Sequence, residues 1–412
     1  MIGEKIRKAR LDLGLSQQQL AGPDMNRSFI SLIETGRCSP SQDTLRVIAT
    51  RLGKDPAYFG EDDRPDDRVD VAAALLASAQ QDLNPSGDEG VARAHQKLVN
   101  ALRNLAGLGR DGLEAELRSL LMTCLRRQGK HTEAIREGEK AVELFKATGD
   151  PRGTATTYLA LGAIAFHLQD NFRSRRYAEQ AVLYSRGLKR AQDVQLEALV
   201  NLGSVNFRLG NYPEAVESYR AAWNLSGTVN QPEQQGAIAM GLGWALFRSG
   251  RLDAGMQWTM KAMDLLQAER SPDYYLALHN LGVIESAREN WEKAYLIFQE
   301  CLKVYVAQNR VTKQAAVLED VARYWMHKGE LQIAESALWD AIDLLDVEDH
   351  AFLRGRIYRY LGVLLASQGN TRGACTMLRI SYQVLHMINA TAELNLTRAE
   401  LDRLRVQPPP PA

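Results

Sequence analysis

The chain has 412 residues, of which 45% are hydrophobic, and its 50 basic and 50 acidic side chains cancel to a net charge of zero. This length exceeds one compact core and the composition excludes an intrinsically disordered protein, so we expect two or more folded units. No segment reaches the ~18 consecutive apolar residues of a membrane span. The amino-terminal segment MIGEKIRKAR lacks the apolar core of a signal peptide, which favours a cytoplasmic protein.

Apolar residues recur at helical spacing along nearly the whole chain and almost never alternate, which predicts an all-α protein. Five short helices are expected first. They are predicted over residues 2–13, 17–21, 26–34 and 41–53, with a last one opening at residues 55–56. Ser16 and Asn26 are expected N-caps, because their side-chain oxygens can accept a hydrogen bond from the first helical turn.

An acidic segment separates this region from the rest. Residues 61–70, EDDRPDDRVD, hold six acids and two arginines, which predicts an exposed, extended linker. Residues 1–60 hold nine Lys/Arg against six Asp/Glu, a mildly basic balance that is compatible with nucleic acid. Helices resume near Val71 and Gly90, and residues 71–109 are predicted to be a helical linker or a degenerate capping repeat.

A repeat with a period of 39 to 41 residues fills the rest of the chain. Its marker is Leu-Gly or a related pair, whose second member falls at residues 122, 162, 203, 243, 282, 322 and 362. A turn residue follows seven positions later, a small residue five positions after that, and another small residue seven further on. Small residues let two antiparallel helices approach closely. The pattern predicts about seven helix pairs over residues 110–395 and a proline-rich tail within residues 396–412.

The clearest unit, LVNLGSVNFRLGNYPEAVESYRAAWNL around Leu202 and Gly203, resembles the tetratricopeptide repeat by its LG…Y-x-x-A…Y-x-x-A pattern. The period is longer than the ~34 residues usual for that repeat, which suggests longer helices or loops. The resemblance implies the fold class: an all-α chain in which a five-helix domain precedes a right-handed α-solenoid.

Residues 2–60 resemble the lambda-repressor-like (XRE) helix-turn-helix family. The likeness lies in SQQQLA at helix two, SFISLIETG in helix three and PSQDTLRVIATRLG in helix four. The expected core comprises Ile6, Ala9, Leu15, Leu20, Ile30, Ile33, Leu45, Ile48 and Leu52. Phe29 is expected to pack and Glu34 to be structural. The turn GPDMNRS is one residue shorter than in most of the family, which leaves the angle between helices two and three open.

This resemblance implies that helix three enters the major groove of DNA and presents its first residues to base edges. The expected DNA-binding residues are Gln17, Arg27, Ser28, Ser31, Leu32 and Arg37. Arg27 suits bidentate contact with guanine, whereas Gln17 and Arg37 are expected at phosphates. Arg27 could instead be a solvated charge, and Leu32 could either contact a thymine methyl group or pack.

One face of the first helix of each pair is expected to line the concave surface of the array. Projection from each Leu-Gly pair places there Asn201, Ser204, Phe207, Arg208, Trp244, Phe247, Arg248, His279, Asn280, Glu319, Arg323, Arg356, Arg359 and Tyr360, together with Met240, Asp320 and Met326. Asparagine amides can pair with a peptide backbone, arginines can bind a carboxylate, and aromatic rings can hold apolar side chains. Any one of these residues could instead pack between repeats or form an inter-repeat salt bridge.

A helix-turn-helix head followed by a repeat array with this period resembles, in architecture, the RRNPP family of peptide-sensing quorum regulators. The resemblance implies a dimeric transcription regulator that binds a short signalling peptide in its groove. A homodimer is also expected because one small head makes few phosphate contacts, whereas two heads address two half-sites. The alternative is a regulator whose array docks a partner protein instead.

Enzyme, metal and cofactor signals are missing from the sequence. It contains no nucleophile elbow, phosphate loop or HExxH motif. The four cysteines form no CxxC pair, and the seven histidines fall on separate predicted helices. We therefore predict no catalysis, no metal and no cofactor.

Overall fold

A computed structural model describes residues 2–38, 40–59, 65–84, 87–188, 192–227, 231–267, 272–346, 350–388 and 390–404. Within these ranges the chain forms 22 α-helices and no β-strand, which confirms the all-α prediction. The chain divides into two compact units, residues 1–149 and 150–412. The predicted proline-rich tail, residues 406–412, lies outside the described residues.

The first five helices form a small domain. They are α1 (Ile2–Asp12), α2 (Gln17–Ala21), α3 (Arg27–Glu34), α4 (Gln42–Arg51) and α5 (Pro56–Phe59). Both predicted caps are present, since Ser16 Oγ accepts the amide of Gln19 at 3.2 Å and Asn26 Oδ1 accepts the amide of Phe29 at 2.7 Å. These bonds satisfy amides that the first turn of a helix leaves without a partner. The starts of α2 and α3 therefore follow from the local sequence.

The core of this domain contains all the predicted residues. Ile6, Ala9, Leu20, Ile30, Ile33, Ile48 and Leu52 are buried, and Leu15 and Leu45 pack against them. Phe29 packs against the same cluster, as expected. Helix α5 adds Phe59, which is fully buried and was not predicted.

The acidic segment differs from its prediction. The sequence predicts an extended linker over residues 61–70, but a sixth helix, α6 (Pro65–Leu83), begins inside it. Proline suits the first position of a helix, where its missing amide costs nothing, and an acidic residue such as Asp67 in the first turn suits the positive end of the helix dipole. Residues 71–109, predicted to be a helical linker or a degenerate capping repeat, contain most of α6 and all of α7 (Asp88–Leu105), and these two helices pack against each other.

Seven helix pairs follow in the described residues, the number that the periodicity predicts. The first unit contains α8 (Asp111–Arg127) with α9 (His131–Ala147). The second unit contains α10 (Pro151–His167) with α11 (Asn171–Ser185), α12 (Gln192–Arg208) with α13 (Tyr212–Ser226), α14 (Pro232–Arg248) with α15 (Leu252–Leu266), α16 (Pro272–Ala287) with α17 (Trp291–Ala307), α18 (Val311–Lys328) with α19 (Leu331–Asp343), and α20 (Ala351–Ser367) with α21 (Thr371–Met387). A last helix, α22 (Thr391–Arg403), packs against α21. Stacked pairs of this kind form a solenoid-like arrangement.

A tight turn joins the two helices of each pair at the residue that the periodicity predicts. The turn residues, all with φ between +61° and +85°, are Gly129, Gln169, Gly210, Gly250, Glu289, Gly329 and Gly369. Residues with a side chain adopt this left-handed backbone at a cost, which explains why five of these seven positions are glycine.

Small residues fill the crossing between the helices of a pair. A Cβ added to Gly243 of α14 would lie 2.7 Å from Thr259 Oγ1 and 3.0 Å from the carbonyl oxygen of Gly255, both on α15. The last small position of each predicted repeat is fully buried, and it is occupied by Ala141, Ala181, Ala222, Ala262, Cys301, Ala341 and Ser381. Larger side chains at these positions would push the two helices apart.

Candidate DNA-binding surface and first-helix row

Helix α3 has one face in the core and another facing outward. Ile30 and Ile33 occupy the core side. The predicted contact residues on or just after α3 are exposed or half-buried: Arg27, Ser28, Ser31, Leu32 and Arg37. Leu32 is 41% exposed, so packing in the core does not account for it. The outward face of α3 is therefore a candidate DNA-binding surface.

Gln17 is oriented by a buried network. Its Nε2 donates to Glu34 Oε2 at 2.8 Å. Arg10 holds the same carboxylate, with Nε 2.5 Å from Oε1 and Nη2 2.9 Å from Oε2, and its Nη1 donates to the carbonyl oxygen of Leu15 at 2.8 Å. Glu34 uses only one hydrogen of the Gln17 amide, so the network orients Gln17 and leaves the second hydrogen for another acceptor.

The charge of Glu34 ties α1, α2 and α3 together. Burial raises its pKa, but hydrogen bonds from Arg10 and Gln17 outweigh burial and hold the pKa below the ordinary value of 4.5. The carboxylate is therefore ionised at neutral pH. Glu34 has the structural role expected of it, because three helices meet at its side chain.

The turn between α2 and α3 is held by a residue that no local pattern indicates. Arg51 of α4 donates to the carbonyl oxygens of Leu20 (3.1 Å) and Ala21 and pairs with Asp24. Gly22 has φ +56° and lies so close that an added Cβ would be 2.7 Å from the guanidinium carbon of Arg51. These bonds close the shortened turn. Arg51 could not be predicted because its partners lie 27 to 31 positions away in the sequence.

The predicted groove residues meet across consecutive first helices. Helices α10, α12, α14, α16, α18 and α20 contact one another in that order, and we call them the first-helix row. Side chains on this row fall into an aromatic part on α10 to α14 and a charged part on α16 to α20.

Four half-buried rings, Phe207, Tyr212, Trp244 and Phe247, form what we call the aromatic cluster. The ring centroid of Phe207 lies 5.3 Å from that of Tyr212 and 6.5 Å from that of Trp244, and Trp244 lies 5.0 Å from Phe247. The guanidinium carbon of Arg248 is 5.0 Å from the Tyr212 centroid and 5.9 Å from the Phe207 centroid, and Nη2 donates to Tyr212 Oη at 2.6 Å. This is cation–π geometry, which holds the guanidinium against the rings.

Arg208 has a similar environment in the neighbouring repeat. Its guanidinium carbon lies 3.5 Å from the ring centroid of Phe166, and Nη1 donates to the Phe166 carbonyl oxygen at 3.1 Å. Burial lowers the pKa of Arg208. Ser204, in contrast, bonds to Tyr219 Oη at 2.9 Å, inside its own helix pair. Ser204 is thus less available to a ligand than the sequence predicts.

The charged part of the row is paired internally. His279 Nε2 lies 2.8 Å from Asp320 Oδ2, and Arg323 Nη1 donates to Asp320 Oδ1 at 2.9 Å. Arg356 Nη2 donates to Glu319 Oε1 at 2.6 Å. These contacts join α16, α18 and α20 across three consecutive repeats.

Arg359 completes this pairing. Its Nη2 lies 3.1 Å from Glu393 Oε2, and its guanidinium carbon lies 4.3 Å from the ring centroid of Tyr360. Glu319 and His279 are only 1% and 7% exposed. The prediction that the arginines of this part are available to a ligand carboxylate is corrected accordingly, because each already contacts a carboxylate of the chain.

The pKa values of the two adjacent carboxyl groups on α18, Glu319 and Asp320, are shifted in opposite directions. Burial raises the pKa of Glu319 more than Arg356 lowers it. Burial acts in the same direction on Asp320, but its hydrogen bond with His279 and the charges of Arg323 and Arg356 hold its pKa below the ordinary value. Asp320 therefore remains ionised at neutral pH and keeps the cluster assembled.

Asn201 and Asn280 lie half-buried on α12 and α16. Neither side chain has a hydrogen-bond partner within the part of the chain that the structure describes. An amide with its donor and acceptor unused is suited to pair with a peptide backbone.

Comparison with known proteins agrees with both regions. A helix-turn-helix family model matches residues 6–59, and a tetratricopeptide repeat model matches residues 113–182 and 154–227. This chain carries a helix-turn-helix domain and tetratricopeptide repeats. Both predictions made from the sequence are thereby confirmed.

An immunity repressor protein of Bacillus phage phi105 is 26% identical over 138 residues, which are 32% of this chain and 88% of the repressor. The apo form of RapI has a TM-score of 0.57 at 14% identity, covering 69% of this chain and 99% of RapI. The Rap conjugation gene regulator of the plasmid pLS20, solved with a Phr peptide, has a TM-score of 0.51 at 12% identity, covering 95% of this chain and 97% of that regulator. At these identities the two structures show a shared fold. The helix-turn-helix match and the likeness to the repressor agree with a DNA-binding regulator.

Two further observations concern other classes of site. No helix among the described residues is long and apolar enough to cross a bilayer. In the same ranges, no three His, Cys, Asp or Glu side chains are grouped so that they could hold a metal ion.

Proposed function

We propose that the protein is a cytoplasmic, homodimeric transcription regulator whose tetratricopeptide repeats bind a short signalling peptide that changes its DNA binding. The observation that carries the proposal is the presence, in one chain, of an outward-facing α3 and a first-helix row with unpaired amides. The first supplies a DNA reader and the second supplies a peptide receptor.

On the DNA side, α3 inserts into the major groove. Arg27 contacts base edges with Ser28, and Ser31 and Leu32 lie one turn along. Arg37 contacts a phosphate, as does Gln17 in the orientation that Glu34 imposes. One domain binds weakly, so two copies on a dimer address two half-sites about one helical turn apart.

On the effector side, Asn201 and Asn280 hold the peptide backbone. A regulator of the same fold has been solved in complex with a Phr peptide, which supports a peptide as the ligand. The peptide acts only by binding one arrangement of the repeats better than another, which shifts the population of the two arrangements.

The DNA assignment is tested with Arg27→Ala on an operator selected from random duplexes. Loss of a bidentate arginine–guanine contact should weaken binding by about 1–3 kcal/mol and relax the base preference at one position. Arg46→Ala, at another exposed arginine of the same domain on α4, is the matched control and should leave affinity nearly unchanged. Equal affinities of Arg27→Ala and the unmodified protein would exclude Arg27 as a reader.

The effector assignment is tested by mass spectrometry of small molecules that co-purify with the protein. A bound short peptide is the expected result, and a bound larger polypeptide would instead support docking of a partner protein. Calorimetry of the identified peptide against Asn201→Ala and Asn280→Ala then locates the site. Unchanged affinity in both variants would remove the first-helix row as the receptor.

A further inference from the structure

We infer that the amino-terminal part of the first-helix row is a subsite for a carboxylate carried beside a flat apolar side chain. The subsite consists of the aromatic cluster, to which the second helix α13 contributes Tyr212, together with Arg208 and Arg248. The inference rests on the proposed function, because it names the chemistry of the effector that the row receives.

The five predicted arginines of the row fall into two classes. Arg323, Arg356 and Arg359 each contact a carboxylate of the chain itself at 2.6 to 3.1 Å. Arg208 and Arg248 contact only a carbonyl oxygen and a phenol oxygen. Throughout the described residues, the charges of these two arginines thus have no carboxylate partner. A ligand carboxylate can pair with them directly, whereas at the other three it would first have to displace a buried partner.

Both unpaired arginines are preorganised. Each guanidinium lies over an aromatic ring. Each also donates one hydrogen bond, from Arg208 to the Phe166 carbonyl oxygen and from Arg248 to Tyr212 Oη. An arginine has five N–H donors, so several donors of Arg248 remain after Nη2 has bonded to Tyr212. A guanidinium that is already held flat loses little rotamer entropy when it binds a carboxylate bidentately.

The rings determine what accompanies the carboxylate. Trp244 and Phe247 are half-buried, and their centroids lie 5.0 Å apart with an interplanar angle of 30°. Such a pair offers apolar surface to an aromatic or other flat apolar side chain, and the quadrupoles of the rings favour offset or tilted stacking. The carboxylate is either the carboxyl terminus of a peptide or an Asp or Glu next to the apolar residue.

The division of the row also orients the ligand. The charged part on α16 to α20 is internally neutralised, with three arginines against Glu319, Asp320 and Glu393. A peptide that places its carboxylate on α12 and α14 therefore extends toward α16, where Asn280 has a free amide to meet the backbone.

The test uses three synthetic probes on the full-length protein: acetyl-Gly-Gly-Phe with a free carboxyl terminus, the same peptide as an amide, and acetyl-Gly-Glu-Phe as an amide. Binding is measured by NMR titration of the probe resonances. The free acid should bind at least about tenfold more tightly than the plain amide. The free energy of one hydrogen bond to a charged group is larger than the free energy that corresponds to a tenfold change in affinity. If the Glu-containing amide binds as tightly as the free acid, a side-chain carboxylate also suffices. If it binds only as weakly as the plain amide, the terminal carboxylate is required.

Variants then locate the carboxylate. Arg248→Met and Arg208→Met keep an unbranched apolar stem. Each should weaken binding of the free-acid probe about tenfold and leave binding of the amide probe unchanged. Arg220→Met, an exposed arginine on the second helix α13, is the matched control and should change neither.

Equal affinity of the free acid and the amide for the unmodified protein would overturn the inference. The inference would also be overturned if none of the three probes bound. Unchanged binding of the free acid in both arginine variants would overturn it as well. None of these results bears on the proposed function itself, which depends on operator binding and on the peptide that co-purifies.

Discussion

Removal of Arg10 should destabilise the helix-turn-helix domain although Arg10 belongs to none of its predicted DNA contacts. The side chains of Arg10 and Glu34 are only 9% and 2% exposed. Arg10→Met keeps an apolar stem but leaves the carboxylate with Gln17 as its remaining side-chain donor. Removal of one partner of a buried ion pair costs about 3–5 kcal/mol, because the other charge stays buried without compensation.

That cost is large for so small a domain. Globular proteins have about 0.05–0.15 kcal/mol of stability per residue, which amounts to about 3–9 kcal/mol for the first 60 residues. The Arg10→Met protein should therefore have a substantially unfolded head and weak operator binding. Its tetratricopeptide repeats in the second unit should stay folded.

Hydrogen exchange of the full-length protein, followed by mass spectrometry, measures this directly. Protection of amides in α1 to α3 should fall by at least about a hundredfold, since every 1.4 kcal/mol corresponds to about a factor of ten. Amides in α12 to α15 serve as the internal reference. The double variant Arg10→Met/Glu34→Met should recover most of the protection, because it leaves no buried charge. Unchanged protection in Arg10→Met would refute the reasoning.

The same network sets a pH dependence. Because the folded-state pKa of Glu34 lies below its ordinary value, its contribution to stability is present above that value and is lost as pH falls through the folded-state pKa. Protection of α1 to α3 should therefore decline below about pH 4.5. The double variant, which has no carboxylate there, should lack this part of the decline.

Two further predictions concern the repeats. Gly243→Ala should lower the free energy of unfolding by about 1–3 kcal/mol, since its Cβ would lie 2.7 Å from Thr259 Oγ1. Gly162→Ala is the matched control, because its nearest neighbours would be 3.7 Å away, and it should be neutral or slightly stabilising in thermal denaturation. Asp320→Asn should cost about 3–5 kcal/mol, because Arg323 loses its buried anion and His279 loses its carboxylate partner. The exposed Asp340→Asn should cost almost nothing, and limited proteolysis that cuts both variants equally would contradict this role.

Local patterns predicted much of the fold. The caps at Ser16 and Asn26, the positive-φ turns and the small residues of the helix crossings all appear where the sequence places them. Each depends on residues a few positions apart, so spacing alone reveals it. The prediction of an extended linker was wrong from Pro65 onward. Proline and aspartate suit the first turn of a helix as well as an extended segment, so composition alone did not distinguish the two.

The candidate sites were predicted only in part. The projection of the first helices placed on one face residues that contact one another across repeats, such as Phe207 with Trp244 and Glu319 with Arg356. It gave no means of telling which arginines are neutralised. Arg51, which closes the turn before α3, was not identified either.

The sequence by itself determined the helical period, the helix boundaries at capped turns and the kind of side chain on each face, because these depend on neighbours within one or two turns. Only the tertiary structure decided which charges are paired. His279 meets Asp320 41 positions away and Arg356 meets Glu319 37 positions away, whereas Arg248 meets a tyrosine 36 positions away. The spacing of a repeat brings such positions together, but only the packed helices show which atoms are within hydrogen-bond distance.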